Sequence, residues 1–290
     1  MSQLLGPDFV RELELLRRRL EIRARSGGAG EHLAKRRGGS AEFHEHRAYA
    51  AGDDMRRIDW AAYARSGEPV IKVFRAEEDV VARLLCDTSA SLDVGEPKKR
   101  DVAKRVAAAV GYMTLASSER AQLVFTAGGA TRDHRPARGR NGVATLLRQL
   151  ETLPSGGKTD LVAGIDYVVQ KSARPGLLLV LSDFFDPGPV LGALTRAAAA
   201  GHDVILAQVL APEEVEPDYD GDWALEDVET GDLVELTMDR AAIEAYERRL
   251  AALTAELSGW ARKHRAAYVR IRTDDPLEEA LRRIVNRSRD

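Results

Sequence analysis

Cysteine is almost absent from this chain: Cys86 is the only one in 290 residues. An internal disulfide is therefore impossible, and a lone cysteine inside an apolar run reads as a small buried hydrophobe. Long hydrophobic runs are missing too. Apolar stretches such as Leu177–Leu181 and Val204–Leu210 are strand-sized, and Met1–Leu20 has no signal-peptide core. Membrane insertion is therefore not expected, and the cytoplasm is the expected compartment. A positive balance is lacking as well, since the formal net charge is −3. Arg11–Arg37 is rich in arginine, but no aromatic residue interleaves those arginines, so a solvated surface is expected rather than nucleic-acid binding. Lys and Arg are absent from the acidic stretch Glu213–Asp239. The six histidines are scattered; His44 and His46 would share one face of a strand, but no nearby cysteine or third ligand completes a zinc set.

What is present is organised in two parts. Asp8–Arg25 places Phe9, Leu13, Leu16 and Leu20 on one side of a helix, which Gly27, Gly28 and Gly30 end. His32–Phe74 is rich in Gly, Arg and aromatics without a sustained period, and reads as an accessory region of short strands and turns. These make an N-terminal region, 1–78. From 79 to 290 strand and helix signals alternate, which predicts an α/β domain with a mainly parallel sheet flanked by helices. Val80–Cys86, Ala121–Phe125, Leu177–Leu181, Val204–Leu210 and Tyr268–Ile271 are the strands, with Thr131–His134 folding back as an edge hairpin. In Arg240–His264, Ile243, Tyr246, Leu250, Leu253, Leu257 and Trp260 recur at steps of three and four, the stripe of a core-facing helix. Asp275-Pro276, followed by Glu278, is read as the capped start of a last helix.

The chemistry concentrates at the ends of these strands. Asp87-Thr88-Ser89-Ala90-Ser91 follows the first apolar run, placing a carboxylate and two hydroxyls where open α/β sheets bind ligands. These are hard oxygen donors of the kind that suit Mg²⁺ or Mn²⁺. Gly156-Gly157-Lys158-Thr159 precedes a helix and presents a hydroxyl from a tight turn, and Leu177–Ser182 ends in Asp183. Singly, each segment reads as an ordinary helix cap. Together, Asp87, Ser89, Ser91, Thr159 and Asp183 form a candidate metal site.

This arrangement resembles the metal-ion-dependent adhesion site (MIDAS) of von Willebrand factor A domains, which implies a Rossmann-like fold and an ion with an open position for a partner's carboxylate. A second resemblance is longer. Glu42-Phe43-x-Glu45-x-Arg47-x-Tyr49-x-x-Gly52-Asp53-Asp54-x-Arg56-x-Ile58-Asp59-Trp60, with Ala64-Arg65, is similar to the signature of the bacterial domain of unknown function 58 family, as is the acidic turn Trp223–Asp232. That resemblance implies a partner: a MoxR-type AAA+ ATPase and its client, with this chain as adaptor or chaperone. Arg47, Asp53, Asp54, Arg56 and Asp59, beside Tyr49 and Trp60, are expected to act as an ion-pair seam holding the accessory region to the sheet, or as a partner-docking surface.

Three sharper motifs fail. Gly157-Lys158-Thr159 imitates the end of a phosphate-binding loop, but Thr152 stands where the earlier glycine is required. Asp218-x-Asp220-x-Asp222 with Glu229 imitates a calcium loop, but Trp223 occupies the position of the sharp-turn glycine. A haloacid-dehalogenase-type phosphatase would need Asp where Ser89 stands. The expected function is thus a non-enzymatic, metal-dependent protein-binding module. Its alternative is a Mg²⁺-dependent hydrolase of a phosphorylated substrate, which needs a general base or phosphate cradle.

Overall fold

The computed structural model describes residues 6–27, 42–50, 53–75, 81–127, 130–186, 188–218, 221–226 and 233–286. His32, Gly52, Gly128-Gly129, Asp220 and 227–232 lie outside these, and with them parts of the signature and of the acidic turn. The chain is a mixed α/β protein. Its main sheet is built from β3 (Val81–Asp87), β4 (Arg120–Ala127), β5 (Ala130–Asp133), β6 (Ala137–Arg138), β7 (Leu177–Ser182), β8 (Asp203–Leu210) and β11 (Ala267–Arg272). The order is β11-β8-β7-β3-β4-β5, with β6 also paired to β4. All neighbours from β11 to β4 run parallel. β5 pairs with β4 antiparallel, as the hairpin reading predicts, and β6, which that reading did not include, pairs with β4 antiparallel as well.

Continuous apolar runs become parallel strands here because both faces of the sheet are covered. Leu84 and Cys86 of β3 face a core shared with α3 (Lys99–Ala116), α4 (Val143–Glu151) and α9 (Leu277–Asn286). Leu85 faces the other core, with α5 (Leu161–Lys171), α6 (Val190–Ala199) and α8 (Arg240–His264). Burial pushes the Cys86 thiol up to about 12, so it packs as a hydrophobe. The stripe on α8 buries Leu250, Leu257 and Trp260, while Ile243, Tyr246 and Leu253 are only half-buried. At the start of α9, Asp275 accepts from the Arg272 N–H and from Arg283, so its carboxylate turns back onto the end of β11.

Two compact units result: Met1–Arg36 with Val80–Asp290, and Arg37–Asp79. This differs from the expected division into 1–78 and 79–290. The helix α1 (Pro7–Gly27) belongs with the sheet because Leu13, Leu16 and Leu20 are buried in the core shared with α3 and α9. Glu12 pairs with Arg105 of α3 at 3.3 Å and Arg19 with Glu278 of α9 at 2.8 Å.

The small unit contains β1 (Glu42–Ala48) and β2 (Val70–Arg75), an antiparallel pair with a bulge between Phe43 and Glu45. Between them lie a single 3₁₀ turn, Met55–Arg57, and a helix, α2 (Trp60–Ser66), in a region read from sequence as short strands and turns. Gly67, with φ of +74°, closes α2 in the left-handed conformation that favours glycine. The acidic stretch likewise holds more order than its composition suggests. A short helix, α7 (Pro212–Val215), precedes β9 (Gly221–Glu226) and β10 (Leu233–Met238), which pair antiparallel. Among the described residues no helix is long and apolar enough to cross a membrane.

Candidate functional site

From β3 the chain crosses to β4 on one side and later returns to place β7 on the other, so the order reverses at β3. In open α/β sheets the carboxyl ends of the strands at such a point form a crevice. The register pairs Cys86 with Leu181, which sets Asp87 opposite Ser182 and one residue from Asp183.

Asp87 is the centre of the cluster and is 3% exposed. Its Oδ1 accepts from the Ser89 N–H at 2.9 Å. Its Oδ2 accepts from the hydroxyls of Thr159 at 2.9 Å and Ser182 at 2.7 Å. The Ser89 and Ser91 hydroxyl oxygens are 3.0 Å apart. Two backbone bonds tie the Thr159 turn to this loop: Gly156 N–H to Thr88 O and Ala90 N–H to Gly157 O, each 3.0 Å. Gly156 and Gly157 have φ of +107° and +86°, a path side chains resist. Lys158 in this turn is exposed.

Asp183, the fifth expected residue, lies beside Asp87 but faces elsewhere. Its Oδ1 accepts from the Phe185 N–H at 3.1 Å, and its Oδ2 from Lys99 Nζ at 2.8 Å. Lys99 also donates to Glu214 Oε1 at 2.6 Å. Glu214 Oε2 accepts from the Ala211 N–H at 2.8 Å, and its carbonyl from the Tyr246 hydroxyl at 2.9 Å. The turn after β7 is strained: Phe184 is buried and holds φ of +61°, costly for a bulky residue and frequent at functional sites. Just beyond it, Phe185 is 40% exposed, as is Val94 after the first loop.

Burial pushes the Asp87 carboxyl above the usual carboxylate range, and the charge of Asp183 adds to this. Burial likewise pushes Glu214 up against the opposing pull of Lys99. Burial acts to lower the Lys99 ammonium, but Asp183 and Glu214 outweigh it and hold its pKa above the ordinary lysine value. Asp87 and Asp183 are thus two buried carboxylates side by side, with Lys99 paired to Asp183 and with Arg100 and Lys104 lining the pocket beside Asp87 and Ser89. Among the described residues no three His, Cys, Asp or Glu side chains gather as metal ligands. A divalent ion here would rest on Asp87 and the hydroxyls of Ser89, Ser91 and Thr159, with Asp183 behind them. That all-oxygen donor set fits a hard cation.

Sequence reading missed Lys99, Ser182 and Glu214. Ser182 was within reach, since it precedes Asp183 and is in register with Asp87. The partners of Lys99 lie 84 and 115 residues away, and no local pattern joins them.

In the small unit, Arg47 Nη2 meets both oxygens of Asp53 at 2.8 and 3.0 Å. Asp54 accepts from the Arg56 N–H. Asp59 caps α2 through the N–H groups of Ala61 and Ala62, and its Oδ2 lies 2.9 Å from His46 Nε2. The Tyr49 N–H donates to Pro69 O. These signature residues thus organise their own unit, whereas Arg56 is exposed and Trp60 is 61% exposed, edge-on to Tyr63 at 6.2 Å.

The family model described as "Protein of unknown function DUF58" matches residues 45–256. The chain belongs to the DUF58 family. This DUF58 chain is 36% identical over 267 residues to an uncharacterised protein of Mycobacterium tuberculosis (strain ATCC 25618 / H37Rv), covering 90% of this chain and 84% of that one. It is 35% identical over 164 residues to an uncharacterised protein of Mycobacterium avium, covering 53% of this chain and 94% of that one. Among solved structures it is similar to the conserved hypothetical protein BatB from Bacteroides thetaiotaomicron. The identity there is 16% and the TM-score 0.46, over 72% of this chain and 100% of that one. An aerotolerance-related membrane protein from Bacteroides fragilis NCTC 9343 aligns with a TM-score of 0.44 at 16% identity, over 72% of this chain and 98% of that one.

Proposed function

We propose that this DUF58 protein is a cytoplasmic, non-enzymatic protein-binding module with a von Willebrand factor A-like site that takes Mg²⁺ or Mn²⁺. The observation that carries the reading is the oxygen cluster around buried Asp87 at the point where the strand order reverses. When bound, the ion supplies an open Lewis-acid position for a carboxylate of the partner. Asp87 anchors the cluster, Ser89, Ser91 and Thr159 complete the hard donor set, and Asp183 adds negative charge behind it.

The rim supports docking rather than turnover. Phe185 and Val94 offer apolar contact beside the polar centre, the mix found at protein interfaces. Lys99 is 1% exposed and tied to two carboxylates, so it is not available to a phosphate. The partner implied by the family signature is a MoxR-type AAA+ ATPase with its client. Exposed Arg56 and Trp60 of the small unit provide a second contact for it.

The test is melting of the full chain with and without MgCl₂, together with Mg²⁺-dependent capture of such an ATPase. Wild type is expected to gain stability with Mg²⁺, as any ligand of the folded state confers. Asp87→Ala should fold yet lose both the gain and the capture. Capture undiminished in Asp87→Ala would overturn the reading.

A further inference from the structure

Lys99 is 1% exposed, and it is the first residue of α3. Two forces oppose a charge there: burial strips its water, and the amino end of a helix repels cations. Its Nζ is held by Asp183 Oδ2 at 2.8 Å and Glu214 Oε1 at 2.6 Å. Glu214 is itself fixed, by the Ala211 N–H on its second oxygen and by Tyr246 on its carbonyl. A plain hydrophobe would fill this space without the cost of a buried charge. The ammonium instead turns the Asp183 carboxylate toward α3 and offsets its charge one residue from the point where Asp87 and Ser182 meet.

Resting on the metal reading above, we infer that Lys99 and Glu214 are positioning residues that set the cation affinity of the Asp87 site. Lys99 weakens the hold on a divalent ion by repelling it and by restraining Asp183. Glu214 strengthens the hold by offsetting Lys99. The two residues touch each other, yet their removal should move affinity in opposite directions.

The test is calorimetric titration of the purified full chain with MgCl₂, with circular dichroism and melting to confirm folding. Lys99→Met is expected to bind Mg²⁺ at least tenfold more tightly than wild type, and Glu214→Gln at least threefold more weakly. A merely structural clamp would shift both variants the same way or leave affinity unchanged, and either result overturns the inference. Should Lys99→Met fail to fold, Glu214→Gln still decides: unchanged or tighter binding overturns the inference. Wild-type binding that Asp87→Ala abolishes, with Glu214→Gln unaltered, defeats this inference alone. No Mg²⁺ binding by wild type or by either variant defeats the metal reading with it.

Discussion

His202, between α6 and β8, is buried with its Nδ1 3.2 Å from the Gly176 carbonyl oxygen. Burial, and then the positive charge of Arg83, hold its pKa below the ordinary imidazole value. In the unfolded chain the same ring takes a proton below about pH 6.5. The unfolded state therefore binds more protons than the folded one as the pH drops through that value, and stability falls with it. Above it the contribution is fully present. Urea unfolding at pH 8 and pH 5.5 should show a larger acid loss for wild type than for His202→Gln; equal losses would refute this. Arg83 itself is 6% exposed and donates to Arg174 O at 3.2 Å. At this scale the candidate site was largely legible: Asp87, Ser89 and Ser91 of the loop after the first strand are linked to Thr159 of the turn before a helix. Asp183 is present but turned, because Lys99 claims it, and a lysine in a row of mixed charges carries no mark of burial.

Among the elements, α1 shows how far hydrophobic periodicity reaches and where it stops. Its stripe predicted the helix, but a stripe does not say which surface it covers, and α1 lies on the α3–α9 side of the sheet. Leu13, 1% exposed, should therefore cost the sheet unit about 2–5 kcal/mol when replaced by Ala, the usual range for a buried leucine. A loss below about 0.5 kcal/mol in urea unfolding would return α1 to the surface. The parallel strands were legible because their apolar runs are short and bounded. The helix α2 was not, since its seven residues contain no buried face and its start depends on Asp59 as a cap. The β9–β10 hairpin was hidden by charge: an acidic run predicts a solvated surface and leaves its backbone pairing open.

For the whole molecule, the two units invite separable tests. Trp60 has 61% of its surface exposed, so Trp60→Ala should leave the melting temperature of the chain and its Mg²⁺ response unchanged. Its expected effect is on the proposed ATPase contact, weakened roughly tenfold in a titration with the purified ATPase. Unaltered affinity would remove the small unit from the interface. Asp87→Ala should show the converse pattern, losing the Mg²⁺ response first. The bonds that build the candidate site span 72, 84, 95 and 115 residues. Contacts so distant along the chain are costly to close and tend to form late in folding. A nascent or truncated chain ending before Glu214 would hold Asp87 and its serines without the completed Lys99 clamp. On the reading proposed above, every donor to the ion is then already in the chain, and the clamp on Lys99 is the part of the site whose closure waits for the rest of the sheet.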